Sequence, residues 1–195
     1  MGLSETQRLL ARLYLETPLR ERFFADPQKV AAEFGLSPED AAQWTSLSRR
    51  QTEFFARSLK FKRLAEVRRL LPRSAELLGS SFTELFLRYA EAPLSGGLAK
   101  HYEDALAFVR FAERVETPLE PRWALDLLRY EAAWLHARAT LKVGCLVRMF
   151  RHNLGVILNP THGAEPERRL TVGVWCKLPW SGRLVHGLIA RPFRP

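Results

Sequence analysis

Cysteine is scarce in this sequence: Cys145 and Cys176 are the only two in 195 residues. Neither has a second thiol at metal-ligand spacing, which argues against a thiolate metal site. Two isolated cysteines fit a reduced, cytoplasmic protein. No stretch approaches the ~18 uninterrupted apolar residues of a membrane span. The opening "MGLSETQRLL" lacks a basic segment followed by an apolar run, so no secretion signal is expected. Nucleotide-binding patterns are missing too: there is no GxxxxGK[ST] and no GxGxxG. "GSS" at 79–81 reads as a helix boundary with no strand before it, which excludes a nucleophile elbow. "SGG" at 95–97 lies between predicted helices, the wrong context for a phosphate cradle.

What is present is globular material. Apolar residues make up 47% and charged residues 26% of the chain, enough for a core without disulfide staples. The net charge of +9 is unevenly spread. Residues 1–138 hold 21 basic and 19 acidic side chains, whereas residues 139–195 hold 9 and 2. The tail is therefore strongly basic, and such a field draws anionic partners.

Local signals divide the first part into helices. Ser4 with Gln7 forms a capping-box pattern. Thr17-Pro18, Asp26-Pro27 and Ser37-Pro38 each place a polar cap before a proline, whose missing N–H costs nothing at the first helical position. A long helix is expected over 49–71, ended by Pro72, and further helices over 82–91, 98–115 and 121–138, with "EAPLSGG" as a loop. On the last of these, Trp123, Leu127, Tyr130, Trp134 and Leu135 fall largely along one stripe.

After Ala139 the period becomes two. Leu141, Val143, Cys145, Val147 and Met149 share one face of an expected strand. Leu170, Val172, Val174, Cys176 and Leu178 share a face of the next, with Gly173, Trp175 and Lys177 on the other. "NPTHGAEPE" reads as a loop and "PWSG" as a turn before "RLVHGLIA". The expected fold is α+β: a multi-helix domain over 1–138, then a small antiparallel C-terminal β-sheet over 139–195.

The stretch "FFARSLKFKRLAEVRRLLPRS", residues 54–74, carries Arg57, Lys60, Lys62, Arg63, Arg68, Arg69 and Arg73 against one acid, Glu66. At ~100° per residue, Ala56, Leu59, Leu64, Val67, Leu70 and Leu71 gather on one arc, which Lys60 and Arg63 interrupt. Four readings compete: packing within the protein, a protein-partner surface, a nucleic-acid helix and a membrane-surface helix. There is no Asn or Gln from 54 to 71 to read bases, and membrane helices rarely lie mid-domain. Packing comes first. Phe54, Arg57, Phe61, Arg68 and Arg69 are the candidates for a partner surface; a nucleic-acid regulator stays as the alternative function.

The sequence does not assemble an active site. None of the five histidines pairs with another at i,i+3 or i,i+4, and no acid cluster accompanies His152 and His162. Glu103 and Asp104 are adjacent and face apart. Cys145 and Cys176 read as small buried apolar residues; the competing reading is a reactive thiol activated by Lys177 or Arg148. The basic tail instead suggests a sheet with an open edge that takes up an extended acidic peptide. Lys142, Arg148, Trp175, Lys177, Trp180 and Arg183 are the candidates for that role. A hairpin that only covers the helical core explains the same strands.

Three stretches carry a family resemblance: "LYLETPLRERFFADPQKVAAEFGLSPEDA", "FFARSLKFKRLAEVRRLLPRSAELLGSSFTELFLRYA" and "LTVGVWCKLPWSGRLVHG". They resemble the MbnC-type partner subunits of methanobactin-like peptide biosynthesis. The resemblance implies a non-catalytic subunit that docks a multinuclear non-heme iron oxidative enzyme. It also implies that the C-terminal sheet helps hold the leader of a ribosomally made precursor whose cysteines the enzyme modifies. The iron would belong to the enzyme, with no cofactor in this chain, and no catalytic residue is carried over.

Overall fold

The computed structural model describes residues 3–91, 101–159, 166–179 and 182–190. Among them are ten helices and three strands, an α+β arrangement with its antiparallel sheet at the C-terminal end. The chain divides into two compact units. The first holds residues 1–65 and 86–98, the second 66–85 and 99–195. This division does not fall at residue 138. The sheet belongs with the helices that precede it, because one of them supplies the sheet's core.

In the first unit, α1 (Leu3–Leu15), α2 (Thr17–Ala25), α3 (Pro27–Glu33) and α4 (Pro38–Trp44) form a small bundle. Two of these starts have a capping side chain, whereas the residue before α2 is Glu16, makes no side-chain cap hydrogen bond, and leaves Thr17 inside the helix rather than capping it. Asp26 accepts the Lys29 N–H at 3.0 Å, and Ser37 Oγ accepts the Asp40 N–H at 3.1 Å. Pro27 and Pro38 open α3 and α4. Gly35, at φ 79°, ends α3 in a left-handed conformation that costs glycine little. Leu9, Leu13, Phe23 and Val30 fill the core between these helices.

Helix α5 (Arg49–Leu70) runs from the first unit into the second. Its apolar arc is largely buried as expected: Ala56, Leu64, Val67 and Leu71 are in the core, while Leu59 stays more exposed. The two cations inside that arc are engaged by neighbouring side chains. Arg63 stacks over the rings of Phe86 and Tyr89 at 5.7 and 5.6 Å, and Lys60 lies 3.9 Å from Glu91.

In the second unit Pro72 does more than stop α5. It opens α6 (Pro72–Leu78), a helix the sequence reading passes over. The cap of α6 comes from far along the chain. Glu131 accepts the N–H groups of Arg73 and Ser74, both at 3.0 Å, and the Ser74 hydroxyl at 2.6 Å. Burial pushes the Glu131 carboxyl above its ordinary range, against the pull of these donors. Helices α7 (Ser80–Tyr89), α8 (His101–Ala112) and α9 (Ala124–Thr140) follow. Phe82 of α7 and Phe108 of α8 pack at 5.0 Å between ring centroids.

The sheet is a meander of β1 (Gly144–Phe150), β2 (Thr171–Lys177) and β3 (Leu184–Ala190), with a short helix α10 (Leu154–Leu158) after β1. Its inner face packs on α9. Trp175 is fully buried there, with Phe150, Leu154, Leu127, Tyr130 and Ala137 around it. The indole edge lies over Gly173: a Cβ at that position would sit 2.7 Å from Trp175 Cη2. Only glycine leaves room for the ring.

Candidate functional site

Within β1 and β2 the residues group by face as expected, but the apolar set faces away from the core; Leu141, expected on the same face, lies before β1 and packs with the inner core. Trp175, Thr171, Gly173, Phe150 and the half-buried Leu146 turn inward, with His186 and Leu188 of β3. The outer face carries Cys145, Val147, Met149, Val172, Val174, Cys176, Val185 and Ile189. Val147 is 52% exposed, Ile189 62% and Met149 69%. An apolar face of this extent, left open on a sheet, is a feature of surfaces that meet other polypeptides.

The cysteines lie on this outer face and are not free. Antiparallel pairing sets Cys145 opposite Cys176, 31 residues apart in sequence, and the two form a disulfide with Cα atoms 4.2 Å apart. The expectation of isolated reduced thiols is therefore corrected, and with it the buried-apolar and reactive-thiol readings. The reason is register, which spacing alone does not disclose. The cysteine-based argument for a reducing compartment goes with it. No helix among the described residues is long and apolar enough to cross a membrane.

The short Cα separation also orients the backbone. Opposite residues at about 4.5 Å form a pair without mutual hydrogen bonds. The N–H and C=O of Cys145, and by alternation of Val147 and Met149, then point to the free side of β1. The Val147 carbonyl fits this, since it accepts a hydrogen bond from Arg148 Nη1 at 3.0 Å. Among the described residues β1 and β3 each pair only with β2, so both outer edges lack a strand neighbour.

The candidate peptide-binding residues separate accordingly. Lys142 and Arg183 lie just outside β1 and β3 and are exposed, and Lys177 ends β2. Register sets Gly144, Lys177 and Leu184 side by side, which brings these three cations to one end of the sheet. Arg148 is exposed on the edge strand. Trp175 is fully buried at the centre of the inner core. Trp180 lies outside the described residues.

Of the α5 candidates, Phe54 (69% exposed), Arg57 and Phe61 lie in the first unit. Arg57 stacks 5.8 Å over the Phe61 ring, and Phe55 adds a further exposed aromatic side chain. Arg68 and Arg69 lie in the second unit and are engaged within it. Arg68 reaches the Thr83 hydroxyl and Arg69 pairs with Glu66 at 2.8 Å. Arg73 donates to the Leu158 carbonyl at 3.1 Å. Among the described residues, only Lys62 of the seven cations in this run has no partner.

The inner face holds one more titratable group. The His186 ring lies against Trp175, Trp134 and Tyr130 at 5.1, 5.2 and 5.5 Å. Among the described residues its buried Nε2 has no hydrogen-bond partner, and neither has Trp175 Nε1. Burial pushes the His186 imidazole below its ordinary value. Among the described residues no group of three or more His, Cys, Asp or Glu could hold a metal ion.

No protein-family model matches the chain, and no curated protein matches it significantly.

Proposed function

We propose that this protein is a non-catalytic accessory subunit whose C-terminal sheet takes up an extended polypeptide. The outward apolar face bordering a free strand edge carries the reading. A strand added beside β1 would bond to the outward peptide groups of Cys145, Val147 and Met149, and its alternate side chains would extend the apolar face. Lys142, Lys177 and Arg183 at one end of the sheet favour an acidic segment. The resemblance to MbnC-type subunits gives the segment an identity, the leader of a precursor peptide. It also gives the protein a partner, a multinuclear non-heme iron oxidative enzyme that holds the iron. The exposed aromatic group of Phe54, Phe55 and Phe61 with Arg57 is the candidate surface for that enzyme.

The alternative function, a nucleic-acid-binding regulator, draws less support. Most cations of the 57–73 run are engaged within the protein, which leaves fewer free to neutralise phosphates.

The test is co-expression with such an iron enzyme and its precursor, followed by gel filtration at micromolar concentration. A stable complex is expected, and clean separation overturns the docking claim. Val147→Pro removes an outward N–H while sparing the β1–β2 ladder. Binding of a labelled precursor peptide to this variant is expected to weaken at least ten-fold. Equal capture by variant and wild type ends the strand-addition reading.

A further inference from the structure

A cleft lies away from the outer face of the sheet, at the N-terminal end of α9. Its volume is about 810 Å³, and it is lined by Arg122, Trp123, Arg129, Arg151, His152 and Arg168, among others. That volume falls within the ~300–1,000 Å³ range of small-molecule sites. At its base is Asp126, a carboxylate only 3% exposed.

Asp126 organises the segment after β1. Its Oδ2 accepts the backbone N–H of Arg151 at 2.9 Å and of His152 at 3.0 Å, and lies 2.8 Å from His152 Nδ1. The His152 carbonyl in turn accepts the Thr171 hydroxyl at 2.9 Å, and Asn153 N–H reaches the Glu167 carbonyl at 3.1 Å. The backbone of residues 151–153 is thus pinned from three directions. The carboxylate at Nδ1 holds the ring in orientation, with Nε2 on the opposite edge. No hydrogen-bond partner meets that Nε2 among the described residues, and it is not sealed off as His186 Nε2 is.

The charges around the cleft are unbalanced. Glu113 is taken by Arg129 at 2.7 Å, and Asp126 is satisfied as described. What remains is Glu120 against Arg122, Arg151 and Arg168, three exposed guanidinium groups without a hydrogen bond or ion pair among the described residues. Pro118, Leu119, Pro121 and the Trp123 ring supply an apolar wall. Guanidinium forks match the paired oxygens of phosphate and carboxylate, and the positive end of α9 adds to the same field.

We propose that this cleft binds a small organic anion, one bearing a phosphate or carboxylate group on an apolar body. Arg122, Arg151 and Arg168 hold the anionic group, and His152 Nε2 takes a further polar contact. The buried carboxylate of Asp126 acts through His152 and the Arg151 backbone and is a positioning residue. The site is separate from the proposed peptide surface and does not depend on it.

The experiment is calorimetric titration of the full chain with pyrophosphate and, separately, with citrate, at matched ionic strength against chloride. Saturable binding of either supports the site. Preference for pyrophosphate assigns the phosphate class, and preference for citrate the carboxylate class. Arg122→Gln and Arg168→Gln change exposed side chains and are expected to fold. The double variant is expected to bind the preferred anion at least ten-fold more weakly, and His152→Gln more weakly by a smaller factor. No binding above the chloride control overturns the proposal, and so does unchanged affinity in the double variant.

Discussion

The two faces of the C-terminal sheet are both built for burial, yet only one is buried. The inner face stacks Trp175, Phe150, His186 and Leu188 on α9. The outer face has valines, Met149, Ile189 and a disulfide, and much of it meets solvent. By side chain alone the outer face is the more uniformly aliphatic. What distinguishes the faces is size and shape. The inner one matches a large indole to a glycine gap and the Tyr130 ring, and close packing of that kind is specific to one partner surface. The outer one is largely β-branched and exposed. Close packing is concentrated on one side of the same three strands, and the opposite side contributes little to it.

The comparison breaks most readily at Trp175. Trp175→Ala is expected to lower stability by about 3–5 kcal/mol in urea unfolding, because it empties the centre of the inner core. A loss below about 1 kcal/mol would mean that the inner face is not the structural one.

The disulfide comes next, as the one covalent tie on the outer face. The paired change Cys145→Ser and Cys176→Ser opens a cross-link between residues 31 apart. A loss of about 2–4 kcal/mol is expected in thermal or urea unfolding. Reductant added to the wild type should reproduce the loss and leave the double variant unchanged.

His186 sharpens the contrast through pH. Its ring is held below its ordinary value of 6.5 by burial on the inner face. Below that value the unfolded chain takes up a proton that the folded chain refuses. Its contribution is therefore present above 6.5 and is lost as pH falls through the depressed folded value. The urea midpoint should drop on acidification from neutral pH, and His186→Leu should flatten that part of the profile. An unchanged profile would place the sensitivity elsewhere.

Outer-face changes should have the smallest effect on stability. Val147→Thr and Met149→Gln are expected to shift it by no more than about 0.5 kcal/mol, the range of ordinary surface substitutions. The same variants should weaken capture of a precursor peptide. A large unfolding effect would show that the outer face is structural.

The sequence by itself determined what is local. Asp26 and Ser37 cap their helices from within a few residues, Pro72 marks a boundary, and period-two alternation marks β1 and β2. Tertiary structure decided what depends on distance along the chain. The cap of α6 comes from Glu131, 57 residues beyond Ser74, and the partner of His152 is Asp126, 26 residues before it. Pairing of the two cysteines required the register of β1 on β2, and the exposure of Val147 and Met149 required knowing which face α9 covers. The physical reason is the same in each case. Alternation assigns residues to faces with equal force whichever face is buried, and only packing in three dimensions chooses between them.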